Sequence, residues 1–150
     1  MINVNTYIKI KEEYIDFFQY DGDIKRIDYI DGALELTING INLIDKSMYD
    51  YIDDLWSYLS EGLALLYDNK EFKCYFPDQP IEVKFIPSKG NRVLVSVNCH
   101  SEVKTSVDKN YFLIAMRDHA KKFFKRLEYL KPSSMGECKA AMKYLEVIKL

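Results

Sequence analysis

Cys99 stands directly before His100, with Glu102 two positions further on, and this is the first place to look for nucleophilic chemistry. An imidazole beside a thiol can take its proton and leave the more reactive thiolate. Neighbouring side chains on a strand point to opposite faces, however, so Cys99 and His100 are poorly arranged to pair. A catalytic His100 would need a partner from elsewhere in the chain. His119 lies three residues after Met116 and four before Phe123, at the margin of an apolar helical stripe, and that position predicts a satisfied structural histidine. Asp118 precedes it, but consecutive helical side chains diverge by about 100°.

Metal and cofactor signatures are equally sparse. The 2 histidines lack an H-x-x-x-H spacing, and Cys74, Cys99 and Cys138 share no C-x-x-C, so no metal site is expected. Asp21-Gly22-Asp23 opens like a calcium loop but lacks the glycine at the sixth place and the glutamate at the twelfth, and it reads as a plain turn. Neither a phosphate-cradling glycine motif nor a G-x-S-x-G elbow is present, and no cofactor is expected. Carboxylates are plentiful enough for acid–base work, though no spacing singles out a pair.

Charge is the stronger signal. The net charge of −2 conceals a first stretch, residues 1–70, with 14 acidic against 6 basic side chains, and a remainder with 9 against 15. Glu12, Glu13, Asp16, Asp21, Asp23, Asp28 and Asp31 cluster early, interleaved with Tyr14, Phe17, Phe18, Tyr20 and Tyr29. Tyrosine beside acid suits a surface that receives a basic partner. Late in the chain Arg117, Lys121 and Lys125 recur every fourth residue and predict a basic helical ridge. The pI of 5.7 opposes nucleic-acid binding by that ridge.

At 150 residues, 48% hydrophobic and 29% charged, the composition fits one soluble globular domain spanning 1–150. The longest apolar run, Tyr111 to Met116, is far short of the roughly 20 residues that a membrane-spanning helix needs. Residues Met1 to Glu13 have no basic n-region and no apolar h-region, so no secretory signal is expected. An odd number of unpaired cysteines suits a reducing, cytoplasmic compartment.

The elements that would position these residues follow from periodicity. Thr6 to Ile10 alternates as a strand, while Tyr14 to Tyr20 is ambiguous between a strand and a short helical turn. Ile24 to Ile44 carries the clearest β pattern, with a hairpin turn at Asn39-Gly40 and a bulge or bend predicted at Gly32. A helix is predicted from about Lys46 to Asp68, its stripe formed by Met48, Ile52, Leu55, Leu59, Leu63 and Leu66, with Asp50, Asp53, Asp54 and Glu61 at polar positions. Strands at Phe72 to Phe76, Ile81 to Ile86, Arg92 to Asn98 and Glu102 to Val107 follow, with a loop at Pro87-Ser88-Lys89-Gly90. Asp108 caps a long helix to about Leu130, and Ser134-x-x-Glu137 predicts a capping box on a last one. The expected class is α+β: a mainly antiparallel sheet built from hairpins, with about three helices packed on it.

Four stretches, Asp28 to Leu36, Asp54-Leu55-Trp56, Phe76-Pro77-Asp78-Gln79-Pro80 and Asn91 to Val97, resemble a loose group of small bacterial α+β proteins, similar in size and character to toxin-immunity proteins. The resemblance implies binding without catalysis and transfers no site residue. The expectation is therefore a protein-binding domain in which Asp21, Asp23, Asp28 and Asp31 face a basic partner, such as a bacterial toxin. The alternatives are a small enzyme with a site near His100 and Cys99, and a homo-oligomeric structural module in which the acidic half of one copy meets the basic half of another.

Overall fold

A computed structural model of the chain describes residues 1–24 and 29–150. Alternation begins earlier than expected, and β1 (Ile2–Ile10) turns back at Lys11, which has φ 58°, into the short β2 (Glu13–Asp16). On its other side β1 pairs antiparallel with β3 (Asp31–Ile38), which returns through Asn39-Gly40 as β4 (Ile41–Ile44). Both turn residues have positive φ, 51° and 80°, as the predicted two-residue hairpin requires. The order in this sheet is β2-β1-β3-β4, and β5 (Asp50–Tyr51) pairs with the start of β3.

Gly32 is not a bulge. It sits in regular register between Ile8 and Asp50, and a Cβ there would stand 2.3 Å from the Tyr7 carbonyl oxygen and 2.9 Å from Ile52 Cβ. Close approach of backbone and helix, rather than a bend, demands the glycine. The irregularity lies between Leu36 and Thr37, where Leu43 is the extra residue on β4.

The helix predicted from Lys46 begins later. Residues Lys46–Met48 form a single 3-10 turn, with Asp45 accepting from the Ser47 amide at 2.9 Å, and α1 spans Ile52–Tyr67. The intervening residues are drawn into β5 by Asp50, whose carboxylate accepts the amides of Tyr51 at 2.7 Å, Asp78 at 3.1 Å and Gln79 at 2.8 Å. That clamp also fixes the Phe76-to-Pro80 loop at Asp78 and Gln79. The remaining strands form a meander in chain order: β6 (Phe72–Tyr75), β7 (Glu82–Ser88), β8 (Arg92–Cys99) and β9 (Ser101–Asp108). Because β7 continues through Pro87 and Ser88, the predicted loop shortens to residues 89–91.

Asp108 caps α2 (Lys109–Leu130) by accepting from the Tyr111 amide at 2.9 Å. The capping box predicted for α3 (Met135–Glu146) does not form. Ser134 Oγ donates to the Lys131 carbonyl at 2.6 Å instead, and Glu137 turns to α1, where Ser57 Oγ donates to it at 3.3 Å.

The class is α+β: among the described residues three helices pack on two antiparallel sheets whose buried side chains join in one apolar cluster. Helix α2 spans both sheets: Phe123 packs against Phe17, in the turn that follows β2, with centroids 4.6 Å apart, and Phe112 meets Phe85 of β7 at 5.2 Å. Helix α1 lies against β6 at Gly62, where an added Cβ would stand 2.4 Å from the Phe72 ring. Gly62→Ala should therefore cost about 2 kcal/mol in urea unfolding through overpacking. Gly136→Ala, in α3 and with a Cβ that meets nothing, should instead stabilise by about 0.4–1 kcal/mol. Equal effects would show that the Gly62–Phe72 contact relaxes freely.

Candidate functional site

The early acids converge only in part. Asp23 and Asp31 line one hollow of about 420 Å³, over apolar Ile8, Ile24 and Ile30. Lys9 and Lys11 line it too, so its charge is mixed rather than purely acidic. Tyr20 closes on it and donates its hydroxyl to the Asp23 carbonyl at 2.7 Å. Asp21 is 80% exposed and stands 3.9 Å from Arg126 Nη2. Asp28 lies outside the described residues.

Of the aromatics read as contact surface, Phe17 is wholly buried, and Phe18 packs edge-on against His119, with the Lys122 ammonium over its ring at 4.1 Å. Tyr29 stacks on Tyr51 at 4.3 Å, and the Tyr14 hydroxyl donates to the Lys46 carbonyl at 3.1 Å. Only Tyr20 borders the hollow. The basic ridge is also incomplete. Arg117, with 12% of its side chain exposed, donates to the Ile148 and Leu150 carbonyls at 3.0 and 2.9 Å, so it ties the C-terminal residues to α2.

Cys99 and His100 form the tip of the β8–β9 hairpin, where His100 is exposed at φ 74°. Glu102 turns away from them, accepting from Ser96 Oγ at 2.6 Å and standing 3.6 Å from Lys104. Neither histidine lines the hollow formed by Asp23 and Asp31.

His119 is held inside. Thr6 Oγ accepts from Trp56 Nε1 at 3.1 Å and lies 2.8 Å from His119 Nε2. Burial, and then the charge of Lys122, push the imidazole down to about 4, so it is neutral at physiological pH. With a neutral ring the hydroxyl, which already accepts from Trp56, donates to Nε2, and the ring proton resides on Nδ1. The relay joins β1, α1 and α2, and its role is structural, as the sequence predicts.

A second polar group was not legible beforehand. Asp53, placed on the polar side of its helix, is 2% exposed, and its carboxylate accepts from the Ile30 amide at 3.1 Å. Oxygens of Asp53, Asp54 and Glu137 all lie within 4.8 Å of one another, so one cation could reach all three. Both acids of α1 and the one of α3 occupy first helical turns, where the dipole favours negative charge. Burial, and then the charges of Asp53 and Asp54, nevertheless push Glu137 up to about 7. Burial raises Asp53 and Asp54 as well, while buried Lys131 pulls Asp54 and Glu137 back. The result is a carboxyl group half-protonated near neutrality. Its sequence signal was the row Asp53, Ser57, Ser60 and Ala64, small or polar at every turn, which lets a second helix approach.

Among the described residues no helix is long and apolar enough to cross a membrane. No family model, curated protein or solved structure matches the chain.

Proposed function

We propose that this chain is a non-catalytic protein-binding domain, an immunity-like inhibitor whose acidic face covers a basic site on a bacterial toxin. The observation that carries this reading is the placement of Asp23 and Asp31 around one exposed apolar hollow, with exposed Asp21 in the neighbouring turn. A hollow of apolar floor and charged rim is the usual anatomy of an interface centre. Lys9 and Lys11 in its lining mean that the partner must also offer an acid, which sharpens selectivity rather than affinity. Its three free thiols suit a reducing compartment, and the reading places the protein in the cytoplasm.

The test is parallel capture from native lysate with the parent chain and with an Asp21→Lys/Asp23→Lys/Asp31→Lys variant. A single stoichiometric basic protein should be retained by the parent and lost by the variant. Its association rate should fall at least about tenfold at low salt and much less at high salt. Retention by both chains would place the interface elsewhere. Purified partner activity, assayed with and without the domain, then distinguishes inhibition from simple binding.

A further inference from the structure

The meander ends on β6, which pairs with β7 on one side and, among the described residues, with no strand on the other. Between that edge and the outer face of α1 runs an open groove of about 430 Å³. Tyr58, Glu61 and Leu65 form its helical wall, at three- and four-residue steps, and Glu71, Cys74 and Tyr75 belong to the strand side. The Gly62–Phe72 contact described above sets how closely helix and strand approach beneath it. Tyr58 and Tyr75 remain 40% and 55% exposed.

We propose that this groove receives an extended, basic segment of a partner protein, which adds to the free edge of β6 as a further strand. An unpaired sheet edge supplies main-chain donors and acceptors in a fixed row, and a helix beside it turns that row into a slot for one strand. Phe72 and Cys74 are the more buried members of β6 and alternate with exposed Lys73 and Tyr75. Every second residue of the incoming strand therefore faces α1, over Tyr58, Glu61 and Leu65.

Charge selects the occupant. Glu61 and Glu71 line the groove, and Lys73, its one cation among the described residues, stands 4.0 Å from Glu82. Burial and then Glu61 push the Cys74 thiol up to about 12, and burial and then Asp54 raise the Tyr58 hydroxyl. Lys73 also argues against a second copy of this chain, because symmetric pairing centred on it sets two lysines face to face. This inference is independent of the acidic hollow beside β1.

The experiment uses the full chain, labelled with nitrogen-15, and the synthetic peptide (Lys-Val)4 as probe. Its controls are (Glu-Val)4 and a version of equal charge with proline replacing a central valine. Expected are saturable shifts confined to residues 58–65 and 71–75, and binding at least about tenfold weaker for both controls. Glu61→Lys/Glu71→Lys, at two exposed positions, should weaken (Lys-Val)4 binding by a similar factor with the rest of the spectrum unchanged. The Asp21→Lys/Asp23→Lys/Asp31→Lys variant should bind it as the parent does. Shifts mapping elsewhere, equal binding of the proline peptide, or indifference to the Glu61/Glu71 reversal would overturn the proposal. So would concentration-dependent dimerisation through β6, seen as loss of the same signals without peptide.

Discussion

Glu137→Gln should make the protein more stable above pH 7 and leave it nearly unchanged below pH 4.5. A carboxyl whose folded value is raised from 4.5 to about 7 binds its proton more tightly in the folded chain. Stability from this group is therefore complete below pH 4.5 and is lost as pH rises to 7, because the unfolded chain ionises first. The full shift corresponds to about 3 kcal/mol, and partial exposure of Glu137 reduces the expected gain to about 1–2 kcal/mol. Glutamine keeps an oxygen for the Ser57 hydroxyl and removes the repulsion from Asp53 and Asp54. Urea unfolding of parent and variant at pH 5 and pH 8 measures the difference directly. Equal differences at the two pH values would show that Glu137 is ionised without cost and that Lys131 neutralises the group completely.

The comparison with a variant is needed because His119 pulls the other way. Its folded value is lowered from 6.5 to about 4, so its contribution is complete above pH 6.5 and is lost as pH falls to 4. In the parent the two slopes overlap between pH 4.5 and 6.5 and partly cancel, so a flat stability profile there hides two opposed groups.

Thr6→Val should destabilise the protein by about 2–4 kcal/mol, the largest loss expected from a change that keeps side-chain volume. It leaves the buried Trp56 Nε1 and the half-buried His119 Nε2 without their shared partner. Each unsatisfied buried group costs about 1–3 kcal/mol. Thr6→Ser keeps the hydroxyl and should recover most of the loss, less about 1 kcal/mol for the missing methyl. Trp56 is the only tryptophan, so its fluorescence reports both the unfolding transition and the local change in the folded state. A valine variant as stable as the serine one would mean that water enters and replaces the hydroxyl.

Much of the fold was legible because its signals are local. Ile81, Val83 and Phe85 alternate in one strand and Val93, Val95 and Val97 in the next, and they meet in register as Val83 with Val97 and Phe85 with Val95. Asn39-Gly40 makes its turn and Asp108 its cap, since each needs only neighbours in sequence. His119 was legible as a structural residue from its place beside the apolar stripe.

The chain by itself thus determined the class, the strands of the meander, the long helix and the early cluster of acids. Tertiary structure alone decided where α1 begins, because the amides that draw Asp50 into β5 come from Asp78 and Gln79, far along the chain. It decided that Asp53 is buried and that Glu137 abandons its cap, because α3 packs on α1 and brings Glu137 to Ser57, Asp53 and Asp54. It withdrew Arg117 from the basic ridge by offering it two C-terminal carbonyls. Periodicity assigns a residue to a face of its own element. What covers that face is set by packing between elements distant in sequence, and the energy of desolvating a charge is settled there.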